Sequence, residues 1–217
     1  MTHAHALFAE RRARLSGGAA VALTLATPLA HAHHAMGGAM PTTFGEGLIS
    51  GIAHPVIGLD HLAFLVVAAL LSATLSGRAR YLAPLAFVVA TIAGTLYHLG
   101  AHELPLAETV IALSALLGGV AVMLRGSLPA LMTGVAFAVI GIFHGYAYGE
   151  SIIGAEQTPL LSYLVGFGLV QYAIIVGGAL LSSRITAQSR QWQQRVARFG
   201  GGFAAAIGVL FLGLQLA

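Results

Sequence analysis

The stretch Gly51-Ile-Ala-His54-Pro55-Val-Ile-Gly58-Leu-Asp60-His61 brings two imidazoles and a carboxylate to the mouth of an apolar run that continues over residues 62–75. An ionisable side chain at the edge of a hydrocarbon layer is costly unless it is paired, so each of the three demands a partner. Pro55 at a first helical position loses nothing by lacking an N–H. A helix starting at His54 is therefore expected, with His54 and His61 on one face and Asp60 beside them. An Asp next to a His can bind a divalent cation directly or hold the imidazole in one tautomer. The chain has no Cys, and nitrogen and oxygen donors without thiolate suit borderline ions such as Ni²⁺, Co²⁺ and Zn²⁺. The plainer alternative is a kinked helix start whose polar groups only cap backbone.

The setting is a membrane. Of 217 residues, 58% are hydrophobic and only 8% charged, and the mean hydropathy is +0.88. A water-soluble domain carries about 25% charged residues, so this is an integral membrane protein and an all-α bundle. Nothing supports a nucleic-acid partner; the bilayer is the expected one, and no feature sets an oligomeric state. Residues 1–32 read as a cleavable signal peptide: Arg11, Arg12 and Arg14 precede a short apolar core, and Ala30-His31-Ala32 has the small-x-small pattern. An uncleaved first helix is the alternative. Cleavage leaves His33 and His34 at the mature amino terminus, either a metal-capturing tip or a polar leader.

Residues 33–217 then form one transmembrane domain. Residues 39–54 are amphipathic and glycine-punctuated, expected as a surface or re-entrant helix. Six spans are expected at 59–76, 81–99, 106–124, 128–148, 160–183 and 199–217, with 188–198 as a separate interfacial helix. The Arg residues of the mature part, 78, 80, 125, 184, 190, 195 and 198, fall in alternate loops. Those loops are cytoplasmic by the positive-inside rule, which puts both mature termini on the outer side. Glu46, Asp60, Glu103, Glu108, Glu150 and Glu156 fall toward that outer side, where they attract cations.

Counting along the spans places His61, His98 and His144 at one depth. They lie 16 or 17 residues from the inner ends of their helices, roughly 24 to 26 Å at about 1.5 Å per residue. Three imidazoles at one level with Asp60 suggest a shared centre. His98 and His102, four apart, are expected on one helical face. Gln171 lies mid-span, where an interhelical hydrogen bond is expected, and Ser114 reads as structural.

The motif from His54 to His61 resembles the HPxxGxDH signature of the HupE/UreJ family of nickel and cobalt permeases, and Phe143-His144-Gly145-Tyr146-Ala147-Tyr148-Gly149-Glu150 looks like its second motif. The likeness extends over the mature chain. Many members carry a further histidine where this chain has Tyr148, and another where it has Ile175. The pattern is similar instead to a branch that pairs HHxMGG near the mature terminus with HGYAYGE, which implies cobalt as well as nickel. What the resemblance implies is a metal-handling set of His54, Asp60, His61, His144 and Glu150, with His33 and His34 as capture ligands.

The expected activity is a secondary transporter in a bacterial cytoplasmic membrane, not an enzyme, with no cofactor beyond the transported Co²⁺ or Ni²⁺. No nucleotide-binding motif is present, so the chain does not itself consume ATP. Two other classes stay open: a haem-binding redox subunit with histidines as axial ligands, and a metal-dependent membrane enzyme using Asp60 and His61.

Overall fold

The computed structural model describes residues 39–216, so the expected signal peptide and the His33-His34 tip lie outside the described residues. Among the described residues the chain is all helix, in seven segments: α1 (Phe44–Ile57), α2 (Leu59–Thr74), α3 (Ala79–Leu99), α4 (Ala107–Met123), α5 (Ala130–Glu150), α6 (Gln157–Thr186) and α7 (Arg190–Gln215). A reciprocal cap opens α1. The Thr43 hydroxyl accepts from the Glu46 N–H at 3.2 Å, while Glu46 Oε2 accepts from the N–H groups of Thr42 and Thr43 at 2.7 and 3.1 Å.

The expected helix start at His54 is not what forms. His54 and Pro55 lie in the last turn of α1, the chain breaks at Gly58, and α2 leaves at 76° to α1. The cause is local. Pro55 has no N–H to give to the carbonyl one turn earlier, so the helix is weakened just before the break. The Gly58 N–H then closes it on His54 C=O at 3.0 Å. His54 and His61 therefore belong to two helices, not to one face of one helix.

The second helix is the axis of the bundle. It touches all six others, and nine of its 16 residues are buried. Around it α3 packs on α5, α4 on α7, and α1 on α6. Large apolar side chains such as Leu82, Val89, Leu131, Leu169 and Leu181 are exposed, while His54, Asp60, His61, Thr91, His144 and Gln171 are buried. That inversion suits a lipid solvent, in which polar groups must find partners inside the protein.

Among the described residues four helices can cross a membrane by length and composition: α3, α5, α6 and α7. The bent α1–α2 pair makes a fifth if counted as one span, and α4 is a shorter apolar helix. The expected interfacial helix at 188–198 is not separate. α7 runs unbroken from Arg190, capped by the Ser189 hydroxyl, which accepts from the Trp192 N–H at 3.2 Å. Gly200 to Gly202 do not interrupt it, because Gly201 lies flat against Gly119 of α4 and the packing holds the backbone helical.

The charge asymmetry read along the chain is a real polarity of the bundle. Thr74 of α2, Arg125 between α4 and α5, Thr186 of α6 and Gln193 of α7 line one cavity of about 360 Å³ at the Arg-bearing end. Arg80 turns back to donate to the Leu75 and Ala73 carbonyls at the end of α2, at 3.2 and 3.4 Å, where a cation complements the helix dipole. At the other end Glu108 lies within electrostatic reach of Asp60 and Glu150.

Candidate metal centre

His61 stands in the first turn of α2 and His144 two-thirds of the way along α5. Their Nδ1 atoms face each other at 2.8 Å, and the rings are 1% and 0% exposed. That separation has room for one hydrogen between the two nitrogens. Aromatic rings fix both imidazoles in place: Phe64 lies 4.8 Å and Phe87 5.6 Å from the His144 ring, and Tyr148 lies 4.3 Å from His61, between centroids. Asp60, also buried, accepts the His61 N–H on Oδ1 at 2.8 Å. A carboxylate in the first turn of a helix meets the positive end of its dipole, which offsets part of the cost of burial.

His54 forms a second node beside the first. Its Nδ1 lies 2.9 Å from the Tyr163 hydroxyl and 3.0 Å from the Ser151 hydroxyl. Both hydroxyls also lie within donating distance of the Tyr148 carbonyl, at 2.9 and 3.2 Å. The nodes share a wall: the His54 and His61 centroids are 5.7 Å apart, and the Tyr148 ring touches both. Two glycines make this geometry possible. At Gly51 any Cβ would run into the Tyr163 carbonyl, so only glycine lets α6 come close enough for Tyr163 to reach His54. At Gly58 a Cβ would sit 2.8 Å from His61 Cδ2 and 3.3 Å from Asp60 Oδ1.

Four expected residues, His54, Asp60, His61 and His144, thus come together. His98 does not join them. Its ring packs on Tyr146 at 4.2 Å, and its Cβ sits where a side chain on Gly149 would be. Residue counting fixes depth along a helix but not the direction a residue faces, and the close contact of α3 with α5 turns His98 to another side. His98 and His102 do not share a helical face either: α3 ends at Leu99, and His102 stacks on Tyr97 at 4.7 Å. Glu150 is exposed at the end of α5. Gln171 makes its interhelical bond, its side-chain amide lying 3.2 Å from the Thr91 hydroxyl. Among the described residues no group of three or more His, Asp or Glu side chains is arranged to hold a metal ion; the centre is a facing pair with a carboxylate and a third imidazole nearby.

Sequence reasoning missed Tyr163 and Ser151. The signal for Tyr163 was present: a phenol in an otherwise apolar run needs a partner for its hydroxyl. Ser151, just past the end of α5, gave none.

Fold and centre together define an α-helical membrane protein built around a buried imidazole and carboxylate cluster. Comparison with known proteins makes that specific. Residues 21–211 match the model of the HupE / UreJ protein family, and the chain belongs to that family. It is 30% identical over 190 residues to Protein HupE of Rhizobium leguminosarum bv. viciae, an alignment covering 87% of this chain and 94% of that protein. No solved structure matches.

Proposed function

We propose that this protein is a permease carrying Co²⁺ or Ni²⁺ inward across the cytoplasmic membrane of a bacterium, by way of His54, Asp60, His61 and His144. The observation that carries the reading is the pair of Nδ1 atoms 2.8 Å apart on helices 83 residues apart in sequence. A first-row divalent ion takes imidazole nitrogen at about 2.0–2.1 Å, so the facing nitrogens must part from 2.8 Å to about 3–4 Å to admit one between them. Two nitrogens, with the hydrogen between them released to water as the ion enters, and a nearby carboxylate leave the ion partly hydrated and loosely held, as a site that must release its cargo requires. Membership of the HupE/UreJ family supports the transport reading over an enzymatic one.

The finer topology belongs to the same proposal. The bent α1–α2 pair is one crossing and α3 to α7 are five more, after a cleaved leader, with the mature termini and the imidazole centre toward the periplasm. His33 and His34 capture the ion, Glu108 and Glu150 concentrate cations at the entrance, and His98 is the outlying member of the set. A membrane potential of 100 mV favours entry of a divalent ion by about 4.6 kcal/mol, so no coupling ion is required.

The test is uptake into proteoliposomes containing the protein, with Co²⁺, Ni²⁺ and Zn²⁺ in competition and His61→Ala as control. Uptake of Co²⁺ or Ni²⁺ that vanishes in the control supports the proposal. No uptake by folded protein, or undiminished uptake by the variant, overturns it.

A further inference from the structure

Ser114 sits on the buried face of α4, one turn beyond Ile111. Its hydroxyl lies 2.7 Å from the Ile111 carbonyl and 3.2 Å from His144 Nε2. A serine in a helix satisfies itself with the first bond alone, so the second contact calls for an account.

The hydrogen inventory supplies it. A carbonyl only accepts, so at 2.7 Å the single serine proton lies on the bond to Ile111. The Ser114 oxygen can then meet His144 only as an acceptor, and Nε2 must carry the hydrogen. A neutral imidazole has one N–H, so His144 Nδ1 is left with its lone pair directed at His61. The hydrogen between the facing Nδ1 atoms therefore belongs to His61. One chain of donors runs from His61 through His144 and Ser114 to the Ile111 carbonyl on α4. Phe64 and Phe87 pack around the His144 ring and resist the flip that would undo the arrangement.

We propose that Ser114 is a positioning residue for the metal path: by accepting the Nε2 hydrogen it holds His144 in the tautomer that presents the Nδ1 lone pair to His61 and to an entering divalent cation. The inference rests on the reading of the His61–His144 pair as the place where the ion is handled. Outer partners of this kind typically change metal affinity or activity by about ten- to hundredfold.

Two measurements on the full chain in lipid nanodiscs and proteoliposomes test it. In histidine-labelled protein, nitrogen-15 shifts separate protonated from bare ring nitrogens, and His144→Gln assigns the His144 signals. The wild type is expected to show hydrogen on Nε2 and none on Nδ1 of His144. Ser114→Ala is expected to populate the Nδ1–H form, and Ser114→Thr to restore the original state. An open apolar groove alongside Ser114, lined by Val110, Leu117 and Ile140, has room for the added methyl. In uptake of Co²⁺, Ser114→Ala is expected to raise KM by about ten- to hundredfold with a smaller effect on maximal rate, and Ser114→Thr to recover the wild-type KM. A wild-type His144 protonated on Nδ1, a Ser114→Ala tautomer identical to the wild type, or an unchanged KM each overturns the proposal. If the wild type transports neither Co²⁺ nor Ni²⁺, the permease reading fails, while the tautomer comparison still decides what Ser114 does to His144.

Discussion

Replacing Gly58 by alanine is the smallest change that should disable the centre, by one methyl group. Gly58 has φ −67° and ψ 99°, a backbone that alanine adopts without strain, so any effect is steric. The new Cβ would lie 2.8 Å from His61 Cδ2, 3.3 Å from Asp60 Oδ1 and 3.3 Å from the His54 carbonyl. The first contact is well inside van der Waals range, and the ring cannot swing away freely, because Tyr148 and His144 are packed on it. Overpacking of this kind costs about 1–3 kcal/mol. The hydrogen bond between the facing Nδ1 atoms contributes only about 1 kcal/mol net, so the pair gives way before the backbone does. At 1.4 kcal/mol per factor of ten, displacement of His61 should weaken Co²⁺ or Ni²⁺ uptake by roughly five- to a hundredfold. The assay is initial-rate uptake in proteoliposomes, with thermal unfolding to confirm that the variant is folded. Gly134→Ala, where an added Cβ meets nothing within 4 Å, is the control and should behave as wild type. A folded Gly58→Ala protein with wild-type uptake would refute the claim that the Gly58 corner sets the position of His61.

Three further outcomes are expected. His61→Ala and Asp60→Asn should abolish uptake in folded protein, whereas His102→Ala, at a residue that stacks on Tyr97 outside the centre, should be mild; equal losses across all three would point to a general defect. Tyr163→Phe removes the hydroxyl shared by His54 and the Tyr148 carbonyl and should destabilise the protein by about 1–3 kcal/mol. Tyr148→Phe removes a buried hydroxyl with no hydrogen-bond partner among the described residues and should leave the melting temperature unchanged or higher, so the two phenols make opposite predictions in one detergent melt. Gln171→Leu breaks the bond with Thr91 and relieves a buried amide nitrogen that has no partner among the described residues. The two effects oppose, so stability should shift by less than about 1 kcal/mol with uptake intact; lost uptake would place Gln171 on the ion path.

Helix existence was legible because a lipid solvent leaves the backbone little choice. A long apolar run must satisfy its own N–H and C=O groups, and the helix is the local way to do so. The apolar runs at 59–76, 81–99 and 106–124 accordingly appear as the helices Leu59–Thr74, Ala79–Leu99 and Ala107–Met123, of which the second is by itself long enough to cross a membrane. The helix junctions were less legible. Pro55 suits a helix start and a weakened last turn equally well, and the choice fell to Gly58, three residues on. The stretch from 188 to 217 reads as two helices from its change of polarity, yet polarity alone does not break a backbone, and α7 continues through it.

The sequence by itself determined the solvent, the helices, the polarity of the bundle's two ends and the residue types of its centre, because each depends on composition, local hydrogen bonding or distance along the chain. Only the tertiary structure decided who meets whom. His61 and His144 face each other while His98, at the same nominal depth, looks elsewhere, and Tyr163 and Ser151 arrive beside His54 from outside the motifs. Direction around a helix axis is set by which neighbour packs on which face, and those neighbours are remote in sequence, 109 residues in the case of His54 and Tyr163.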